Sequence, residues 1–488
     1  MSSDAARNLS TADSLLAGKG FVDMLGAPFV LWPPLYPLAL AGLSLLTGWN
    51  TFQSAWYLNV LLYALNIWLS GWLLYRIFKD NLLYAVAGAL IILLSRSTLR
   101  IYANVASEPL FATFMLLFFF AAARYLKDAS RNALWMMFAL AGLATLQRYL
   151  GIALFGVAGL AVFCKERWRG ILRAVLPALV SAAPIAFWAA GHNLPISGTL
   201  FGPRDLGAML PFENISLSLT KILWWFIPRL SFTDPLILHP WIVLVAIGVL
   251  LALINKKADW TNWLRSLSDS FVWPALLFAV VYFFLLGFTV VTADHLDLTS
   301  DRYYVVILPA VVAVSFITLD KLVLSHFRTG GWAPRYALPA LLILWFAYPV
   351  YALQGYLGEA LVRGEPTNYN IANSAAFREM PVVLAARPIL ENDPSAPVYS
   401  NYVNIVWFLF RHPVHILPYE DASLPRAQRL AALGKNYPGW PPARGYIIWF
   451  TPNQYHHIVA PDELITLAHL KLLFEDKTGQ IFLVESAK

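Results

Sequence analysis

The feature that most constrains this chain is a succession of apolar segments, each about as long as a bilayer is thick, joined by connections that alternate in charge. A helix needs about 20 apolar residues to cross the hydrocarbon core. That ruler predicts about ten spans, near 53–76, 81–98, 107–124, 133–148, 149–164, 171–190, 237–255, 270–291, 303–320 and 336–355. The fourth and fifth meet at Gln147-Arg148-Tyr149, because the apolar stretch 133–164 is too long for one crossing. Composition agrees. Of 488 residues, 59% are hydrophobic and 13% charged, against roughly 25% charged in soluble domains, and the mean hydropathy is +0.60. A soluble multidomain chain is thereby excluded. Abundant Trp and Tyr suit the membrane interface. The single cysteine, Cys164, excludes an internal disulfide and a cysteine-based zinc site.

Charge sets the orientation. Arg76 and Lys79; Arg124, Lys127 and Arg131; Lys165, Arg167, Arg169 and Arg173; Lys256, Lys257 and Arg265; and Lys321, Arg328 and Arg335 occupy alternate connections. The positive-inside rule places these in the cytoplasm, which leaves both chain ends outside. The net charge of +7 then serves orientation, and no nucleic-acid partner is expected. Segments 33–47, opening on two prolines, and 218–231 are too short to span and read as interfacial helices.

Residues 356–488 change character, with more charge, Pro and Asn and with apolar runs of strand length. Strands are expected at 398–401, 415–418, 445–450, 470–476 and 480–485, alternating with helices at 423–434 and 461–470. The expected organisation is an outer loop with interfacial helices over 1–52, a membrane domain over 53–355 and an extracytoplasmic α/β domain over 356–488, with a partly parallel sheet. The polar opening, residues 1–32, carries nothing that would send it across the membrane, so a natural first transmembrane helix is expected to be missing.

Ionisable groups at membrane depth are suspects for function. Glu108, before Pro109 at the outer mouth of the third span, is one, though Glu beside a proline also starts an ordinary helix. Arg148 in LQRYLG is either functional or a snorkelling interfacial arginine. Arg302, followed by Tyr303 and Tyr304, opens another span from outside; its forked donors suit a phosphate, whether of a substrate or of lipid headgroups. Arg204 lies in a long Gly/Pro-rich outer loop. Asp294, His295, Asp297 and Asp301 could bind a divalent metal or form a solvated loop. Asp4, Asn8 and Thr11 share one face if residues 4–11 are helical. The sequons at Asn8 and Asn214 and the lone His192 carry little weight.

Together these segments resemble the GT-C membrane glycosyltransferases, in particular the bacterial relatives of protein O-mannosyltransferases and the aminoarabinose transferases. DAARNLSTADSLLAGKGF followed by GAPFVLWPPLYPLALA resembles the family's first outer loop. ASEPLF, LQRYLG, GHNLPISGTLFGPR and DRYYVVILP follow in the family's order, and 398–418 resembles the outer domain of its bacterial members. Asn8 stands where the family commonly has Tyr, and His192 where it commonly has Arg.

The resemblance implies a GT-C-like fold and transfer of a hexosyl or pentosyl group from a polyprenyl-phosphate donor to an extracytoplasmic lipid, glycan or protein acceptor, at the plasma (inner) membrane. It implies Asp4 as general base. It makes Arg148, Arg204 and Arg302, with Tyr303, candidates to hold the donor phosphate, and Glu108 a second acid at the site for metal or acceptor, with His295 a candidate metal ligand. No cofactor is certain and a divalent metal is compatible. Membrane lipids are the remaining partners. A flippase for a lipid-linked sugar and an inactive scaffold of the same fold are the alternatives. A flippase needs a midplane site open alternately to both sides, whereas a transferase needs its acid and arginines converging at one face.

Overall fold

The computed structural model describes residues 3–79, 81–203, 211–226, 260–292, 300–324, 333–362, 375–418, 440, 442–453, 458–465 and 468–485. The chain divides into two compact units: one made of 1–29, 40–51 and 359–488, the other of 30–39 and 52–358. The expected span at 237–255 and the expected helix at 423–434 lie outside the described residues.

Ten helices follow in order through the first half of the described chain: α1 (Ser3–Leu16), α2 (Leu35–Thr47), α3 (Thr51–Ile77), α4 (Leu82–Leu94), α5 (Arg96–Tyr102), α6 (Glu108–Asp128), α7 (Arg131–Gln147), α8 (Ile152–Phe187), α9 (Leu194–Ser197) and α10 (Pro211–Leu223). Further on come helices Trp273–Thr292, Leu308–Thr318 and Ala333–Val362. Among the described residues four helical stretches are long and apolar enough to cross a membrane: Thr51–Ile77, Glu108–Asp128, Tyr149–Ser197 and Val305–Leu322.

The helical unit is held by close packing around α6, whose Phe111, Met115, Phe118, Phe119 and Ala122 are buried in one core cluster with residues of α7, α8 and the helix Trp273–Thr292. With lipid outside, apolar contact alone gives little preference for helix association, so small residues that let backbones approach matter. Gly142 of α7 is such a position: a Cβ there would lie 2.4 Å from the Ser181 carbonyl oxygen of α8.

The helix α8 is broken at Arg167, which takes φ 57° and ψ −144°. Residues eight apart in a continuous helix are about 12 Å apart, yet the Cβ position of Gly170 is 3.0 Å from the Val162 carbonyl oxygen. The chain therefore doubles back at Arg167, in the basic connection where the hydropathy pattern separates 149–164 from 171–190.

The stretch 81–98 departs from the expected straight span. It is two helices, α4 and α5, bent by 61°. Ser95 is the cause: it takes extended dihedrals (φ −67°, ψ 115°), ends α4 and accepts a hydrogen bond on its side chain from the Thr98 amide, starting α5. A serine cap offered the backbone a start signal inside the apolar run.

In the other unit, α1 is a helix whose Asn8, Leu9 and Thr11 are buried. The Asp23 carboxylate, 3.6 Å from Arg7, accepts from the Leu25 and Ala27 amides, closing the loop that follows α1. Burial pushes that carboxyl above its ordinary range, against the opposing pull of Arg7 and the two amides. Five strands fall where expected: β1 (Val398–Ser400), β2 (Val414–Ile416), β3 (Arg444–Phe450), β4 (His469–Asp476) and β5 (Gly479–Glu485), in the order β2-β1-β3-β5-β4. β1 runs parallel to both β2 and β3, while β5 is antiparallel to β3 and β4. The expected helix over 461–470 is shorter, Pro461–Leu464, because β4 already begins at His469. The C-terminal ends of β1 and β3 are joined by Asn401, whose amide nitrogen donates to the Phe450 carbonyl while its oxygen accepts from the Phe450 amide.

Candidate functional site

Glu108 is the first residue of α6 and is almost wholly buried. Burying an unpaired carboxylate is prohibitive, so it needs cations. Two arginines supply them. Arg148 Nη1 lies 2.6 Å from Glu108 Oε1, and Arg302 Nε lies 3.3 Å from the same oxygen. Tyr303 is buried beside both, with the Arg302 guanidinium 4.8 Å and the Arg148 guanidinium 5.9 Å from its ring centre.

Local structure explains the convergence. Arg148 is the extended residue that ends α7 before the short 3-10 turn Tyr149–Gly151. Arg302 sits in another 3-10 turn, Asp301–Tyr303, ahead of the helix Leu308–Thr318. Both are helix ends, where a side chain is free to leave the apolar packing. Ser107, just before α6, ties the end of α7 to the start of α6: its hydroxyl accepts from Arg148 Nη1 at 2.9 Å, and its carbonyl accepts from Gln147 Nε2 at 2.9 Å.

The start of α6 is held from a third side by Asn66 of α3. Its amide donates to the Pro109 carbonyl at 2.9 Å and to the Tyr102 hydroxyl at 2.6 Å, while its oxygen accepts from the Thr113 hydroxyl at 2.8 Å. Asn59, two turns earlier, donates to the Asn104 carbonyl. Nothing in the sequence marked Ser107, Gln147 or Asn66 except that an Asn inside an apolar span is a polar group at membrane depth.

Two guanidiniums meet at one buried carboxylate oxygen, which concentrates positive charge there. The amides opening α6 add to it, since a helix N-terminus favours an anion. Chemically the cluster can hold an anionic group by forked, charge-assisted hydrogen bonds. Both guanidiniums sit on Glu108 Oε1, and among the described residues no group of three His, Cys, Asp or Glu converges.

The remaining candidates lie elsewhere. Asp4 is half-buried in the first turn of α1, in the other unit, and its carbonyl accepts from the Asn8 side chain at 2.8 Å. Arg204, Asp294, His295 and Asp297 lie outside the described residues. His192 stacks on Trp188 with ring centres 4.0 Å apart, within the π-helical turn Trp188–Asn193. Asn193, completing that turn, donates to the Tyr149 hydroxyl and the Leu200 carbonyl, both at 2.9 Å.

No protein-family model matches the chain, and no curated protein matches it significantly. Two solved structures do match in fold. ArnT from Cupriavidus metallidurans bound to undecaprenyl phosphate superposes with a TM-score of 0.59 at 16% identity, over 99% of this chain and 93% of that one. The same protein in its apo state gives 0.56 at 16% identity, over 98% and 93%. The structural neighbours are thus of the aminoarabinose transferase kind, and the fold is that of a polytopic α-helical membrane protein with a small C-terminal sheet domain.

Proposed function

We propose that this chain is a membrane glycosyltransferase that takes a sugar from a polyprenyl-phosphate donor and transfers it to an acceptor outside the cytoplasm. The observation that carries the reading is the buried Glu108–Arg148–Arg302 cluster beside Tyr303, in a fold shared with a protein that binds undecaprenyl phosphate. Two guanidiniums brought to one place suit a lipid-linked phosphate through their forked donors.

In the proposed reaction the acceptor hydroxyl or amine attacks the anomeric carbon. The new bond to that carbon forms as the bond from it to the phosphate oxygen breaks. The acceptor's proton passes to Asp4, the general base on the family resemblance. The electron pair leaves on the polyprenyl phosphate, whose developing charge falls to Arg148 and Arg302. Glu108 holds those two guanidiniums in place. Tyr303 flanks them, and Arg204 is a further donor contact on the resemblance.

The proposed setting is the plasma membrane. It has about ten spans within 53–355, both termini outside, and the α/β domain of 356–488 on the extracytoplasmic face with the outer loop 1–52. The basic connections support this orientation.

The test is binding of polyprenyl phosphate to the purified protein in nanodiscs, with Arg302→Ala and Arg302→Lys. Arg302→Ala should weaken binding without loss of folding, and Lys should restore it only in part, because the fork is lost. Unchanged binding in the Ala variant reduces Arg302 to a headgroup contact and removes the support for this reading.

A further inference from the structure

The hairpin tip at which α8 doubles back gathers Lys165, Arg167, Arg169 and Arg173 around a single acid, Glu166. That acid is already engaged: it accepts from the Tyr125 hydroxyl at 2.8 Å and from Arg173 Nη1 at 2.7 Å. Lys165 donates to the Lys127 carbonyl at 3.0 Å, which brings the end of α6 to the same level. Arg167 and Arg169 are exposed and, among the described residues, pair with no acid; Asp128, beside Lys127, reaches neither.

Two apolar features accompany this charge. Trp168, between the two unpaired arginines, is 74% exposed, with only an edge contact to Phe163 at 5.5 Å between ring centres. An indole so exposed suits the bilayer interface. Below the tip, Leu172, Val175, Leu176, Leu179 and Val180 are all exposed, and their three- and four-residue spacing puts them on one face of the second arm. A cationic tip therefore heads an apolar stripe, with an indole at the junction. That is the complement of an anionic phospholipid, whose phosphate heads its acyl chains. The backbone adds to the case. Arg167, at φ 57° and ψ −144°, stands close to a region that essentially only glycine occupies. Glycine would make the turn with less strain, so the turn itself does not call for a guanidinium there.

We propose that this hairpin tip is a binding site for an anionic phospholipid of the bilayer. Arg167 and Arg169 hold the headgroup phosphate by charge-assisted hydrogen bonds, Trp168 lies at the glycerol level, and an acyl chain runs along the stripe from Leu172 to Val180. A zwitterionic lipid brings its own ammonium to the same place and is disfavoured. The site needs only that the tip lie at the bilayer surface, in whichever leaflet, and it stands independently of the donor reading.

Cys164, exposed and the only cysteine, lies three residues before Arg167 and carries a fluorophore for the test. The labelled protein is placed in phosphatidylcholine nanodiscs containing the same low mole fraction of either phosphatidylglycerol or phosphatidylcholine brominated near the headgroup end of its chains. Each cation at the surface enriches an anionic lipid about fivefold, so brominated phosphatidylglycerol should quench wild type about twofold more or better. Arg167→Gly with Arg169→Gln should abolish that excess; the glycine relaxes the left-handed backbone, so the variant keeps its turn. Lys79→Gly with Arg265→Gln removes as much charge from two other basic connections and should keep the excess. Equal quenching of wild type by the two lipids overturns the proposal. So does an excess that survives in the hairpin variant, or one that falls equally in both variants, since either makes it a property of the protein's overall charge.

Discussion

Asp13, near the end of α1, and Arg411, which follows the helix Val403–Phe410, form an ion pair at 3.2 Å across a sequence separation of 398 residues. The same carboxylate accepts from the Thr51 hydroxyl at 2.6 Å through its other oxygen. The helix that carries Asp4 is thereby tied to residues of the C-terminal sheet region within one unit. Arg411 holds this position in a left-handed conformation, φ 54°, with its guanidinium over the rings of Trp407 and Phe408. Left-handed backbone costs a non-glycine residue about 1–2 kcal/mol, and a half-exposed pair returns about 0.2–1 kcal/mol. Arg411→Gly should therefore leave the unfolding temperature nearly unchanged, while Arg411→Ala, which keeps the strain and loses the pair, should be less stable than Gly by about 1 kcal/mol. Equal stability of the two in thermal melts would mean that residue 411 is not left-handed.

The buried Glu108 is the counter-ion of two half-buried arginines. Removing one partner of a buried pair typically costs about 3–5 kcal/mol. Glu108→Gln should approach that loss, and the double variant Glu108→Gln with Arg148→Met should recover part of it, since one uncompensated cation goes with the acid. Denaturant unfolding in a double-mutant cycle measures the coupling. Additive losses would show that the 2.6 Å contact contributes nothing.

Asn66 satisfies Tyr102, Thr113 and the Pro109 carbonyl at once. Asn66→Leu strands the Tyr102 hydroxyl and leaves the Thr113 hydroxyl and the Pro109 carbonyl only their mutual 3.2 Å bond; an unsatisfied buried group costs about 1–3 kcal/mol. Asn66→Asp keeps the acceptor toward Thr113 and loses both donated bonds. The expected order of stability is wild type, then Asp, then Leu, with transfer activity falling as the start of α6 loosens. A Leu variant as stable as wild type would remove Asn66 as the group that positions Glu108.

For Asp4, the Asn variant keeps shape and removes the base. General-base contributions are commonly about 10²–10⁴ in rate, so transfer from a polyprenyl-phosphate sugar should fall by that order while membrane insertion stays normal. Glu108→Gln should also lower transfer. Full transfer in Asp4→Asn would return the search for a base to Asp294–Asp301.

Cys164 is exposed and unpaired, and it lies beside the basic turn at Arg167. In sealed cells it should react only with thiol reagents that reach the cytoplasm. Labelling by an impermeant reagent from outside would invert the proposed orientation.

What the sequence revealed and what it concealed divide along physical lines. Period and length are local properties, so the five strands and the helix 51–77 were legible, as was the break between 164 and 171. Glu108, Arg148 and Arg302 stood out because charge beside an apolar run is expensive, but only packing could reveal that one carboxylate serves both arginines. The bend at Ser95 was hidden because one serine's hydrogen bond outweighs little in a hydropathy average. Asn66 was hidden more deeply. It looks like an unremarkable member of an apolar helix until the crossing of neighbouring helices decides whether its polar atoms have partners.

The guanidiniums of Arg148 and Arg302 also bear on turnover under the proposed function. A sugar joined to a lipid phosphate is a diester with one negative charge, and the monoester left after transfer carries about −1.5 to −2 at neutral pH. Two cations attract the spent carrier more strongly than the donor. Departure of the used lipid, rather than arrival of the loaded one, is then the slower exchange with the bilayer.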